Sequence, residues 1–145
     1  MMAQIEEVPK RKEGPRGEVD HEFLRLVMRW LDGATDGVAV RQLLEDLAEY
    51  LQRHFASEEG PKGLFETLVR DAPRVTHQVD LLREEHGELL ATVDALTPKI
   101  PNTLDPLSEA LQDQVHALVV KLRAHEAKEE DLIQHSAMRD IGGQG

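Results

Sequence analysis

Apolar residues recur along most of this chain at spacings of three and four, the period of a helix with one buried face. In the clearest stretch, residues 74–97, the repeat alternates in steps of four and three through Val75, Val79, Leu82, His86, Leu89, Val93 and Leu96. Alternation of apolar and polar residues never persists over the length of a strand. The pattern therefore predicts an all-α protein.

Four long helices are predicted, with Asp20 as a candidate N-cap of the first. Breaks that contain Gly or Pro separate them, and the short piece GLFETLVR in the second break is itself predicted to be helical. The four helices span about residues 19–32, 37–59, 74–97 and 106–138. Short links of this kind favour an antiparallel up-down-up-down four-helix bundle.

The bundle is predicted to occupy residues 19–138. Residues 1–18 are polar and contain several Pro and Gly, so we expect a flexible N-terminal arm. Residues 139–145, which end in IGGQG, are expected to form a loose C-terminal tail.

Composition narrows the possible functions. The 145 residues suit one domain, and a net charge of −11 argues against binding to nucleic acid or to an anionic membrane surface. The chain has no Cys, which excludes disulfides, thiolate metal sites and thiol catalysis. It has neither an apolar run of membrane-spanning length nor an apolar stretch typical of a secretory signal, so we expect a cytoplasmic protein.

Each predicted helix carries a His on its apolar stripe, and the second and fourth helices add a Glu one turn later. A single His on such a stripe is usually a hydrogen-bonded core residue. Six titratable groups in one core need more compensation, because burying a carboxylate without a partner costs several kcal/mol. A pair of divalent cations would supply it, and the candidate ligands are His21, His54, Glu58, His86, His125 and Glu129.

The two His-x-x-x-Glu pairs, in HFASEE and HEAKEE, have a spacing that suits a binuclear site. Residues four apart differ by about 40° around a helix, so the His can bind one ion while the Glu bridges to the second. In an antiparallel bundle, residues at one level lie equally far from the connecting turn. The midpoints between successive candidates fall near residues 38, 71 and 106, at the predicted breaks, so all six can share one layer.

Other polar residues are assigned to the surface or to supporting roles. Glu59 and Glu130 are expected to be exposed partners rather than ligands, and Tyr50 either donates a hydrogen bond to the site or bridges core and rim. The remaining histidines are predicted to be exposed: His77, His116 and His135.

This set resembles the hemerythrin-like family, the His-His-Glu cation-binding four-helix bundles, over residues 19–138. The matching residues lie in DHEFL, HFASEE, REEHGELL and HEAKEE. The resemblance implies two Fe ions per chain in a non-haem, oxo- and carboxylate-bridged site, with Glu58 and Glu129 as the bridges. Family members bind oxygen reversibly, sense oxygen, redox state or iron, or act in nitric oxide and iron–sulfur repair chemistry.

One departure from the oxygen-carrier pattern affects the expected activity. Carriers have a further His one turn before the residue that matches His86, and here that position is Leu82. The set of four His and two Glu is more similar to the bacterial stress-response and iron-sensing branches. Mixed imidazole and carboxylate ligands also suit Mn or Zn, and a structural zinc site is the alternative for the metal.

The sequence leaves several functions open. The first is binding or sensing of a small diatomic ligand (O2 or NO), of peroxide or of iron, inside an apolar cage of Leu24, Met28, Leu51, Leu82, Leu89 and Leu122. The alternatives are a metal-dependent regulatory or interaction module without turnover, with the basic cluster at 10–12 as a contact, and a metal-free helical scaffold. Whether the protein is an enzyme stays open.

Overall fold

The computed structural model describes the backbone of residues 18–142 and the side chains of residues 21–136. Single-turn 3-10 helices, Pro73–Val75 and Thr97–Lys99, flank the fourth α-helix. The α-helices are α1 (Glu18–Gly33), α2 (Gly37–Glu59), α3 (Leu64–Asp71), α4 (Thr76–Leu96) and α5 (Glu109–Gly142). In the described part of the chain there is no strand, only an isolated bridge between Asp36 and Pro106. The predicted all-α fold class is confirmed.

The four long helices α1, α2, α4 and α5 form a four-helix bundle. Each contacts the next in sequence, and α1 also contacts α5. The antiparallel order of the helices stays a prediction. Individual contacts between the helices agree with it. His21 at the start of α1 lies beside His54 near the end of α2, while Asp32 at the end of α1 pairs with Arg123 in the first half of α5.

The helix boundaries agree with the predicted ones to within three residues, except at the end of α5. The first helix begins at Glu18, so Asp20 lies inside its first turn and the predicted N-cap is wrong. Helix α5 continues to Gly142, four residues past the predicted end at 138. The rest of the predicted tail, 143–145, and residues 1–17 of the predicted arm lie outside the described residues.

Local features fix the start of α2 and the connection after it. The Asp36 carboxylate caps α2 by accepting a hydrogen bond of 3.0 Å from the Ala39 N–H. Gly37 is required by a close approach, because a Cβ there would lie 1.8 Å from the Pro101 carbonyl oxygen. After α2, Lys62 takes a positive φ of 62° and turns the chain into α3.

The stripe residues form two apolar clusters along the bundle. The large cluster joins α1, α2, α4 and α5, and the small cluster consists of Phe65, Leu68, Ala72, Val75, Val79 and Leu82. Of the predicted cage, Leu82 belongs to the small cluster and the other five residues belong to the large one. Between residues 18 and 142, no helix is both long and apolar enough to cross a membrane.

Candidate metal centre

The six candidate ligands converge at one level of the bundle. Five are buried, among them His86 with 1 % and Glu129 with 2 % of the residue exposed. His21 lies at the edge of the group, where 17 % of its side chain is exposed. The structure thus brings all six together, as the midpoints in the sequence predict, while their role as metal ligands stays a prediction.

The two carboxylates lie between the imidazoles. Glu58 Oε2 is 3.0 Å from His54 Nε2, and Glu58 Oε1 is 3.1 Å from His86 Nε2. Glu129 Oε2 is 3.0 Å from His125 Nε2 and 3.4 Å from His86 Nε2. Each Glu therefore faces ring nitrogens from two different helices.

The ligand atoms divide into two overlapping groups, in each of which all atoms lie within 4.8 Å of one another. One group combines His21 and His54 with both carboxylates, and the other combines His86 and His125 with the same two carboxylates. We call these the outer position and the inner position, because His21 is partly exposed whereas His86 and His125 are buried. Each position offers two imidazoles and shares Glu58 and Glu129.

Two further carboxylates hold the imidazoles of the inner position. Glu59 Oε2 lies 2.6 Å from His86 Nδ1, and Glu85 Oε1 lies 2.7 Å from His125 Nδ1. Lys128 Nζ in turn donates to the other oxygen of Glu85. A carboxylate that accepts from Nδ1 keeps one proton on that nitrogen, so Nε2 of each ring points towards the centre and could bind a metal once it has lost its own proton.

Aromatic rings enclose His86. The Phe55 ring stacks on it with centroids 3.6 Å apart and an interplanar angle of 4°, and the Phe65 ring lies 5.1 Å away at 20°. Phe55 belongs to the large apolar cluster and Phe65 to the small one, so the centre lies where the two clusters meet. Tyr50 is buried and stacks on His54 with centroids 5.2 Å apart. Its predicted hydrogen bond to the site stays a prediction.

The metal-free centre is held together by charge. Burial alone would lower the pKa of His86, but its close contacts with the carboxylates of Glu129, Glu58 and Glu59 outweigh burial and raise the pKa to about 9. Burial would raise the pKa of Glu58, and the contacts with His54 and His86 instead hold it well below its usual range. Protonated imidazoles thus compensate buried carboxylates in the absence of a cation.

The donor set fits the binding of a divalent metal. Glu58 Oε1 is buried and, despite its 3.1 Å distance from His86 Nε2, has no hydrogen bond of acceptable geometry within the described residues. A buried carboxylate oxygen in that state is destabilising unless a cation satisfies it. Imidazole nitrogens and carboxylate oxygens together form the mixed donor set that Fe, Mn and Zn prefer.

The residues assigned to the surface lie there. His77, His116 and His135 are all exposed, as predicted. Glu59 and Glu130 are also exposed, and Glu59 is a partner of His86, as expected for it. Glu85 was not singled out from the sequence. The available signal was its place directly before His86, since a His ligand usually donates its second N–H to a nearby carboxylate.

Comparison with known proteins gives the family. Neither a search of curated proteins nor a search of solved structures gave a match. The model of the hemerythrin HHE cation-binding domain matches residues 18–138, which include the whole four-helix bundle up to the last turn of α5 and all six candidate ligands. Membership in this family implies cation binding, and the described residues contain a His and Glu group that could hold a metal. The family match, the four-helix bundle and the converging ligands together show that the chain belongs to the hemerythrin HHE cation-binding domain family.

Proposed function

We propose that this chain is a non-haem di-iron protein that binds or senses O2, NO, peroxide or iron in the core of its bundle. The observation that carries the proposal is the pair of overlapping four-residue groups, which share Glu58 and Glu129. A mononuclear structural site would need only one such group. Two groups with common carboxylates support a binuclear centre with two bridges.

Different residues of this chain would bind the two ions. His21 and His54 would bind the ion at the outer position, and His86 and His125 the ion at the inner position. Glu58 and Glu129 would span both and balance part of their charge. Iron, when bound, supplies redox chemistry and coordination positions left open for a small exogenous ligand.

The surroundings of the centre support a small ligand rather than a large substrate. Phe55 and Phe65 each stack on His86, and Leu82, Leu89 and Leu122 are buried. Apolar walls exclude water, which strengthens electrostatic interactions inside the site and limits side reactions of a bound oxidant. These walls leave the carboxylates and the inward Nε2 atoms as the polar groups of the centre.

The proposal is tested by anaerobic reconstitution with Fe²⁺ followed by exposure to O2, to NO or to hydrogen peroxide. We expect about two Fe per chain and an absorption spectrum that changes on exposure to at least one of these ligands. His86→Leu should abolish the spectral change, because it removes a ligand of the inner position. His77→Leu is the matched control, since His77 is exposed on the same helix and should leave the spectrum unaltered.

Two outcomes would reject the proposal. If the protein binds about two metal ions but responds to none of the ligands, a metal-dependent regulatory or interaction module without turnover becomes the better account. If Fe²⁺ is not retained, or if His86→Leu and His77→Leu give the same spectrum as the parent, the six residues are not an iron site.

A further inference from the structure

Glu126 is a carboxylate at the centre that the six-residue set does not use. It lies on α5, and only 16 % of its side chain is exposed. Its Oε2 atom is buried and makes no hydrogen bond with any side chain or backbone group that the structure describes. Such an atom destabilises the fold unless a positive charge satisfies it, so its placement requires an explanation.

The position of this oxygen differs from that of the supporting carboxylates. Glu59 and Glu85 contact Nδ1, the outward nitrogen of their imidazoles, at hydrogen-bond distance. Glu126 Oε2 instead lies 3.9 Å from Nε2 of His21. That separation is too long for a hydrogen bond.

The same separation suits two ligands of one ion. Two donor atoms that each lie about 2.1 Å from an ion are separated by roughly 3.0 Å at a right angle and by roughly 4.2 Å when opposite. The 3.9 Å between Glu126 Oε2 and His21 Nε2 falls inside this range. An ion bound between them would satisfy the buried oxygen.

The geometry of α5 places Glu126 on the side of the outer position, although its carboxylate is not among the ligand atoms that lie within 4.8 Å of one another there. Successive residues turn by about 100°, so Glu129 lies about 40° and Glu126 about 100° around the helix from His125, in the same direction. His125 contacts Glu85 of α4, whereas Glu126 approaches His21 of α1. Glu129 lies between them and serves both positions.

We propose that Glu126 is a further protein ligand of the metal ion at the outer position, an inference that rests on the proposed binuclear centre. The two positions are then unequal, because the outer one has an additional carboxylate that the inner one lacks. The outer position also borders a surface cleft of about 370 Å³ between α1 and α5, whose lining includes His21, Arg25 and Glu126. Glu126 therefore limits how many coordination positions the outer ion offers to a ligand that arrives through this cleft.

The competing account is that Glu126 only balances the charge of His21 or Arg25 and contributes to the fold. The two accounts predict opposite effects of Glu126→Gln on the metal-free protein. If Glu126 only supports the fold, the substitution lowers the melting temperature with or without metal. If Glu126 is a ligand, the neutral amide is cheaper to bury, so the metal-free protein melts at the parent temperature or higher.

The experiment is a Zn²⁺ titration with a competing chelator on the parent, Glu126→Gln and Glu130→Gln, with the melting temperature of each metal-free protein. Glu130 lines the same cleft but is exposed, which makes it the matched control. We expect two equivalents of Zn²⁺ on the parent and on Glu130→Gln. On Glu126→Gln we expect one equivalent to bind about 10-fold or more weakly and the other to keep its affinity.

A Co²⁺ spectrum separates a ligand from a supporting residue. Loss of a ligand changes the coordination number and hence the visible bands of bound Co²⁺, whereas loss of a hydrogen-bond partner leaves the coordination number intact. Glu126→Gln should alter the bands, and Glu85→Gln, which removes a partner of His125, should not.

The outcomes are distinguishable. Any of three results for Glu126→Gln would overturn the assignment of Glu126 as a ligand: parent-like affinities for both equivalents of Zn²⁺, parent-like Co²⁺ bands, or a lower melting temperature of the metal-free form. Each of these results would leave the binuclear centre standing. If the parent itself retains none of Zn²⁺, Co²⁺ and Fe²⁺, the proposed function fails and this inference fails with it.

Discussion

Removal of the metal should destabilise the whole bundle, because the proposed ligands come from all four long helices. His21 lies on α1, Glu58 on α2, His86 on α4 and Glu129 on α5. An unfolded chain cannot hold these groups together, so most of the binding free energy appears as folding stability. In the metal-free state the same core must hold buried carboxylates compensated only by protonated imidazoles.

The size of the effect follows from linkage. A metal ion at a free concentration 100 times its dissociation constant stabilises the folded state by about 2.7 kcal/mol, so two such ions contribute about 5 kcal/mol. A chain of this size shifts its melting temperature by roughly 2–4 °C for each kcal/mol. We therefore expect metal loading to raise the melting temperature by about 10–20 °C.

The assay is thermal unfolding by circular dichroism, first with excess chelator and then at increasing free Fe²⁺ under anaerobic conditions. His77→Gln should keep the full shift, because His77 is exposed and distant in angle from the stripe, whereas His86→Gln should lose most of it. A shift below about 2 °C, on a protein shown to hold two ions, would refute the conclusion that the metal ties the four helices together.

Two further predictions concern the protons and the supporting carboxylates. The raised pKa of His86, about 9, means that a metal must displace a proton at neutral pH, so Zn²⁺ affinity should rise between pH 6 and 9. In the metal-free protein, the stability contributed by this shift is fully present below about pH 6.5 and is lost as the pH rises through about 9. Thermal unfolding measured against pH would show this loss. Flat profiles of both Zn²⁺ affinity and stability against pH would contradict the raised pKa of His86. Glu85→Gln should weaken Zn²⁺ binding by about 10–100-fold, because Glu85 orients His125, and exposed Glu84→Gln is the control that should not. Equal affinities of the two variants would show that the Glu85 contact does not support the site.

Much of the fold could be predicted from the sequence because one periodicity governs it. The stripe from Val75, directly before α4, to Leu96 is buried at every position that the steps of four and three indicate. Five of the six His and Glu residues that interrupt the stripes are buried as well, and His21 is partly exposed, so their convergence also followed from the pattern. The breaks at Gly and Pro then fixed their common level in the bundle.

The remaining features depend on contacts between helices that no single periodicity encodes. Glu85 and Glu126 lie beside the stripes rather than on them, and their roles appear only when α4 and α1 are placed against α5. The two Phe rings around His86 come from α2 and α3, and α3 reaches the site only through the turn at Lys62. The misplaced N-cap at Asp20 is an error of a different kind, since helix starts are poorly fixed by local sequence.

The most direct test of the binuclear centre is an anomalous-scattering map of crystals loaded with iron. The account predicts two peaks separated by about 3.5–4 Å, one beside His21 and His54 and the other beside His86 and His125, with Glu58 and Glu129 between them. A single peak, or peaks only at exposed histidines such as His77, would contradict it.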